Sequence, residues 1–370
     1  MMSRKLPEVC EIQYGFPFDS SLFSAEGDLP LIRIRDVVRG YTETYTSEKC
    51  DVAYLVHEGD ILVGMDGVFN VAKWKGEPAY LNQRVCRIIP NETIDADFLF
   101  YFIPTALKKI ENETAFVTVK HLKAKELNAV VVPDVPIEEQ KKIAAQLNAI
   151  THLISLRQRQ AEKLDELVKA RFVEMFGGAY PEVIAEDVCE RIVDCPHSTP
   201  KYDESELKYP AIRTSEIQDG QIEWSSMKYV GVNEYERRVK RLIPEAGDIV
   251  YAREGTYGDC VILPESHHFC LGQRTMLFRP NYKLCNSEYL HAALKSAAVK
   301  YQADMSNAGS TVPHVNVSDA KRFHFPLPPL SLQNAFATFI HEIDREKERI
   351  QKSAALLETL KRSLMQQYFG

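Results

Sequence analysis

The chain has 370 residues, 45% of them hydrophobic and 26% charged, with a formal net charge of -7 at pH 7. That length is enough for two independent cores, and the acidic balance excludes a nucleic-acid affinity built on bulk positive charge, because phosphate neutralisation supplies much of such affinity. No uninterrupted apolar stretch reaches the roughly 18 residues of a membrane span, and the opening MMSRKLPEVCEIQYG lacks the apolar core of a signal peptide, so a cytoplasmic protein is expected.

Residues 1–136 read as a first globular segment. The alternation in LIRIRDVV, GDILVGM and QRVCRI, punctuated by glycine, predicts short strands of a mixed sheet, and DADFLFYFIPTALKKI predicts a helix packed on it. Residues 137–178 follow Pro133 and Pro136 and contain no proline or glycine until Gly177, the pattern of a long helix with a glycine stop. Its apolar residues Ile143, Leu147, Ile150, Ile154, Ala161, Leu164, Val168 and Met175, with Arg157 and Arg171 in the same series, step by fours and threes. Such a narrow stripe, sustained over nearly five heptads, predicts a coiled-coil seam rather than one face of a globular helix.

Residues 179–329 repeat the first segment, and SEYLHAALKSAAVKY predicts the equivalent helix. Residues 330–370 follow Pro328 and Pro329 and repeat the long helix, with a seam of Phe336, Ile340, Ile343, Lys347, Ile350, Ala354, Leu357, Lys361, Leu364 and Tyr368. A displacement of 193 positions lays Thr118, Val119, His121, Pro133, Pro136, Gln140 and Phe176-Gly177 onto Thr311, Val312, His314, Pro326, Pro329, Gln333 and Phe369-Gly370. This period is far longer than the roughly 20 to 50 residues of a solenoid repeat. The chain is therefore read as a duplicated α+β domain, each copy followed by a rod. Because the first helix leads from one domain to the other, the second can return beside it only in the opposite direction, and an antiparallel, pseudo-twofold coiled coil is expected. At 1.5 Å per residue each rod should measure about 55 Å, with one domain at each end. Where one helix carries Arg157, Arg171, Lys347 or Lys361 in its seam, the counterpart in the other is Ile350, Leu364, Ile154 or Val168. Such residues either snorkel out of the seam or disfavour self-pairing and set register.

The eight cysteines, Cys10, Cys50, Cys86, Cys189, Cys195, Cys260, Cys270 and Cys285, form no CxxC pair and have no histidine at zinc spacing. Free buried thiols, no disulfide and no metal are expected. The chain lacks the Asn/Asp-Pro-Pro-aromatic tetrapeptide with which an adenine-N6 methyltransferase holds a flipped base, and it lacks a GxxxxGK[ST] phosphate loop. No catalytic residue is proposed.

The run YGFPFDSSLFSAEGDLPLIRIRDV, the series GDI…DG…LNQR, the loop CPHSTPK and the PxxPxxxQ lead-in to each long helix resemble the specificity subunit of type I restriction-modification systems, across essentially the whole chain. The resemblance implies two target recognition domains, each reading one half of a bipartite DNA sequence. Between them a central helical region, and after them a distal one, would set the spacer and dock two methyltransferase subunits. It implies restriction and translocase subunits as further partners, and S-adenosylmethionine, ATP and magnesium on those partners rather than here. From the rod length a spacer of about 6 to 8 base pairs is expected. A protein-interaction scaffold, whose coiled coil recruits partners while its domains bind protein, is the alternative reading.

Residues common to both copies cannot distinguish two half-sites, so Arg33, Arg213, Arg84 and Arg274, with Asp60/Asp248 and Gln83/Gln273, are expected to be scaffold or phosphate contacts. Base readers should lie where the copies diverge. In the first copy the candidates are Asn70, Lys73, Trp74, Lys75, Tyr80, Asn82 and Lys120, with a solvated hairpin whose Trp74 covers the core as the plainer possibility. In the second they are Lys201, Tyr202, Arg253, Thr256 and Tyr257, with Arg253, which stands where the first copy has Met65, the foremost. Arg237, Arg238, Lys240 and Arg241 read as a phosphate-tracking or solvated run, and His121 and His314 as braces at the junction of domain and rod.

Overall fold

The structure, a computed structural model, describes residues 4–113, 120–178, 180–203, 205, 207–306 and 314–370. The landmarks Thr118, Val119, Thr311 and Val312 lie outside the described residues. The chain divides into two units, Met1–Arg159 with Gln351–Gly370, and Gln160–Ile350.

In the first unit a four-stranded antiparallel sheet runs in the order Cys10–Tyr14, Val85–Pro90, Ile61–Gly64, Val71–Lys73. A second sheet centres on the parallel pair Leu29–Ile32 and Ala79–Leu81, and Arg4–Lys5 pairs with Val131–Val132. The second unit repeats each of these features. Its four-stranded sheet has the order Cys189–Asp194, Thr275–Pro280, Ile249–Ala252, Cys260–Ile262; Tyr209–Ile212 runs parallel to Cys270–Leu271; Glu182–Ile184 pairs with His324–Pro326. The β-branched and aliphatic runs ILVG and IVYA are buried on both faces, because a helix covers one side of the central strand and the second sheet covers the other.

The helix Ala96–Glu113 places Phe98, Leu99, Phe102 and Ile103 in the first unit's core. In the second unit the equivalent segment is two helices, Ser287–Leu294 and Ala297–Ser306, where one was expected. The interruption falls at Ser296, whose hydroxyl accepts from the backbone N–H of Val299 and caps the second piece.

The long helices span Ile137–Phe176 and Leu330–Phe369. Each begins on a proline and is tied down by a fully buried glutamine, which explains the PxxPxxxQ recurrence. Gln140 accepts from the backbone N–H of Asp95 at 2.8 Å and donates to the carbonyl of Val135; Gln333 accepts from the N–H of Asn286 at 3.0 Å and donates to the carbonyls of Leu284 and Pro328. Both glutamines thus fix a rod to the residue just before its unit's packed helix.

The seam follows the heptads read from the sequence. Ile143, Leu147, Ile150, Ile154, Ile343 and Ile350 are buried, while Leu164, Val168, Ile340, Leu357 and Leu364 are half-buried. Within each unit the helices pair antiparallel. In the first, Tyr368 donates to Gln146, and Leu364 packs on the cluster that holds Leu147; in the second, Lys347 reaches Asp165 at 2.6 Å and Phe336 packs on Phe172 and Phe176. The basic seam residues find partners rather than solvent alone. Lys347 is 13% exposed against Asp165, Arg171 lies over the Phe339 ring and Lys361 over that of Tyr101.

All eight cysteines are free. Burial pushes the thiols of Cys10, Cys86, Cys270 and Cys285 up to about 12, so they are inert apolar packing groups at neutral pH. Among the described residues no helix is long and apolar enough to cross a membrane, and no cluster of three or more His, Cys, Asp or Glu is placed to hold a metal.

Candidate nucleic-acid interface

Most residues shared by the copies hold turns. The backbone N–H of Arg33 donates to buried Asp36, and that of Arg213 to buried Glu216, both at 2.9 Å. Asp60 accepts from Arg87 at 3.0 Å, and Asp248 from Arg279 at 2.7 Å, so each Gly-Asp-Ile turn is clamped to the neighbouring strand by an arginine.

The shared Arg84 and Arg274 differ from these. Both have positive φ, 75° and 65°. In the turn closed by the Val85 N–H on the Asn82 carbonyl, Arg84 takes the third place, the one that glycine or asparagine normally fills. Holding a side chain there costs about 1 to 2 kcal/mol. Each guanidinium meets an acid that precedes a positive-φ glycine: Arg84 Nε lies 3.6 Å from Asp66, and Arg274 Nε lies 2.9 Å from Glu254. Asp66 bridges to His121 along the backbone and Glu254 to His314, and the Asp66 carboxylate also meets the His121 ring. The arginine side chains are 53% and 64% exposed. Ion pairs that exposed contribute about 0.2 to 1 kcal/mol, which does not offset the backbone cost.

The divergent candidates separate into two groups. Several are corrected by their surroundings. Trp74 is 1% exposed, its indole N–H donating to the carbonyl of Glu77, so it fills the core as the plainer possibility held. Asn82 is buried in the turn just described. Lys73 is ion-paired with Asp97, which also accepts from Asn148 of the long helix, so it braces sheet to rod. Arg238 is 4% exposed and donates to the carbonyls of Leu271, Ser198 and Pro196, which makes it a loop staple rather than part of a basic surface. Arg253 is turned inward: its side chain is 14% exposed, 3.3 Å from Asp194. The strand registers place Met65 and Tyr14, both part of the first unit's apolar packing, at the equivalent positions, so apolar side chains there are replaced by an ion pair here. Asp194→Ala should therefore lower the second unit's stability by about 3 kcal/mol, because it strands a guanidinium largely removed from water. Adding Arg253→Met should recover most of that loss in urea unfolding; equal losses in the single and double variants would show that the pair is not coupled.

The remaining candidates stay on the surface. Lys75 is exposed, Asn70 and Tyr80 are half-buried, and Lys120 is half-buried with its ammonium on the carbonyl of Glu111. In the second unit Lys201, Lys240 and Arg241 are exposed. Arg237 is exposed but pairs with Glu234, Thr256 donates to the carbonyl of Thr214, and Tyr257 lies beneath Lys300 at 3.4 Å and donates to Asp304. Around Tyr202 the structure gathers two cations, Arg213 at 5.7 Å and Lys228 at 5.0 Å from the ring centroid. Sequence reasoning missed Lys228; its only signal was the alternation KYV, which places it on the strand Lys228–Val230 beside Tyr209–Ile212. It also missed Asp66 and Glu254, although both directly precede the shared Gly67 and Gly255.

One α+β unit built twice on a common scaffold, each copy completed by parts of two antiparallel helices and each carrying different polar side chains at equivalent places, defines a duplicated recognition protein. Residues 1–166 and 184–359 match the family model of the type I restriction modification DNA specificity domain, and the chain belongs to that family. It is 27% identical over 400 residues to the type I restriction enzyme EcoBI specificity subunit of Escherichia coli, a match covering 98% of this chain and 84% of that protein. It is 24% identical over 328 residues to the MjaVIII specificity subunit of Methanocaldococcus jannaschii, covering 81% and 77%. Its fold is similar to the type I restriction-modification S subunit of M. genitalium, with a TM-score of 0.57 at 14% identity, covering 100% of this chain and 96% of that one. It is likewise similar to a chain from a structure of the complex assembly and conformational transition of a type I restriction-modification system, with a TM-score of 0.60 at 16% identity, covering 100% and 97%. As a specificity subunit the chain is non-catalytic; the catalytic activities of these systems lie in other subunits.

Proposed function

We propose that each unit reads one half of a bipartite duplex DNA target, and that the paired helices set the unread spacer and dock two methyltransferase subunits. The observation that carries this reading is the repetition of one strand order with different side chains on the loop between matched strands, Val68 and Asn70 in the first unit against Thr256 and Tyr257 in the second. A shared scaffold with divergent surfaces is what two readers of different sequences require. Exposed leucines on both helices, Leu153, Leu156, Leu356 and Leu360 in the first unit, support docking of partner chains on the rods. The acidic balance accords with a subunit whose affinity for duplex is supplemented by basic partners closing around it. The assembly acts in the cytoplasm, with restriction and translocase subunits joining for cleavage. S-adenosylmethionine, ATP and magnesium serve those partners.

Methylation mapping of a genome expressing this chain with its modification subunit tests the proposal. Two short sequences separated by a fixed unread gap of about 6 to 8 base pairs are expected. A continuous motif, or no sequence preference by the assembled complex, would overturn it, the latter in favour of a protein-interaction scaffold.

A further inference from the structure

Resting on the function just proposed, we propose that Arg84 and Arg274 are matched contacts to the DNA phosphate backbone, one per unit, held ready by Asp66 and Glu254. Four observations converge on these arginines. They recur at the same turn in both copies, whereas the reading of different half-sites demands difference, so what they touch must be the same in both halves; the sugar-phosphate backbone is the part of a duplex that does not vary. Both adopt a left-handed conformation that glycine would adopt freely, so it is the side chain that is being kept. Both are more than half exposed, and the ion pair each makes is too weak to account for that choice.

The fourth observation is how the pairs are made. Each carboxylate approaches the Nε edge of its guanidinium; Arg84 Nη1 also lies 3.2 Å from His121 Nδ1, while among the described residues no group takes either Nη nitrogen of Arg274. The carboxylate thereby fixes the plane of the guanidinium and leaves both Nη nitrogens of Arg274, and Nη2 of Arg84, for incoming phosphate oxygens. A cation held in place in advance loses less side-chain freedom on binding. Asp66 and Glu254 are positioning residues in this arrangement; each is itself fixed by its backbone bridge to His121 or His314 and by the positive-φ glycine that follows it.

The test uses the full chain assembled with its modification subunits and a pool of duplexes of random sequence, with affinity measured across roughly 50 to 200 mM salt. Arg84→Gly and Arg274→Gly remove the charge and the strained conformation together. Arg84→Asn and Arg274→Asn remove the charge with a residue that tolerates the turn. Each should weaken binding to all sequences by roughly 3- to 10-fold and flatten the dependence of log affinity on log salt by about 0.9. The selected consensus should not change, and thermal stability should be equal to or above that of the parent. Arg84→Lys should retain the salt dependence. An unaltered salt dependence, a consensus changed at one base position, or lost assembly with intact DNA affinity would each overturn the proposal. A parent complex that ignores duplex DNA would overturn the function on which it rests, and the proposal with it.

Discussion

Seven residues inserted after Arg159 and seven more after Ile350 will widen the unread gap of the methylated target by roughly 2 to 3 base pairs and leave both half-sites intact. The insertions fall at the unit boundaries in the two long helices, so the rods lengthen together. One heptad keeps the phase of a seam whose residues recur every 3.5 positions, so Ile154, Leu357 and their neighbours still face the opposite helix. At 1.5 Å per residue the insert adds about 10 Å, against about 3.4 Å per base pair of duplex. The longer gap also turns one half-site about the duplex axis by roughly 100°, so affinity is expected to fall even as the new target is selected. Five residues in place of seven would rotate the stripe by about 140° and expose the seam, and assembly should be lost. Methylation mapping reads the result directly, and an unchanged gap in the heptad variant would eliminate the helices as the ruler.

The largest loss of stability is expected at the aromatic ends of the rods. Phe369 is 4% exposed, with the rings of Phe98 and Phe102 at 5.2 and 5.9 Å. Its counterpart Phe176, 2% exposed, lies 4.9 Å from Tyr289 and 5.2 Å from Phe336. Truncation to alanine at either place should cost about 3 to 4 kcal/mol, lowering the melting temperature of the affected unit by roughly 6 to 15 °C. Phe369→Ala should act on the first unit and Phe176→Ala on the second, while Phe369→Leu keeps most of the volume and should lose less than half as much. Calorimetry on the full chain measures both transitions; a Phe369→Ala protein that melts like the parent would mean that the ring does not complete the first unit's core.

What the sequence disclosed and what it withheld have separate physical causes. The seam, the glutamine lead-in and the doubling of the fold are local or periodic patterns, and Leu147, Gln140 and Phe369 could be placed from spacing alone. The antiparallel pairing followed from connectivity. The sites were less readable because side-chain direction depends on ladders between distant strands. Arg253 resembles a reader in a divergent loop, yet the strand Cys189–Asp194 brings Asp194 beside it and turns it inward. Trp74 follows a lysine in a basic run, but the core beneath it claims its ring. Arg238 lies within a charged string whose helical geometry aims one member at the carbonyls of Leu271 and Ser198. The left-handed turns at Arg84 and Arg274 left no compositional trace, since arginine is not the residue that such turns select.

Phe369 also has a bearing on the order of events at the ribosome. Residues 351–370 belong to the same unit as residues 1–159, and their ring, tyrosine and leucine side chains finish its interior. The amino-terminal half cannot mature while the rest of the polypeptide is being made; it must wait, incompletely packed, through the synthesis of some 190 intervening residues. The second unit, which is contiguous in sequence, is under no such delay. Nascent chains arrested just after Ile350 should accordingly leave the first unit open to protease while the later unit approaches its resistant form.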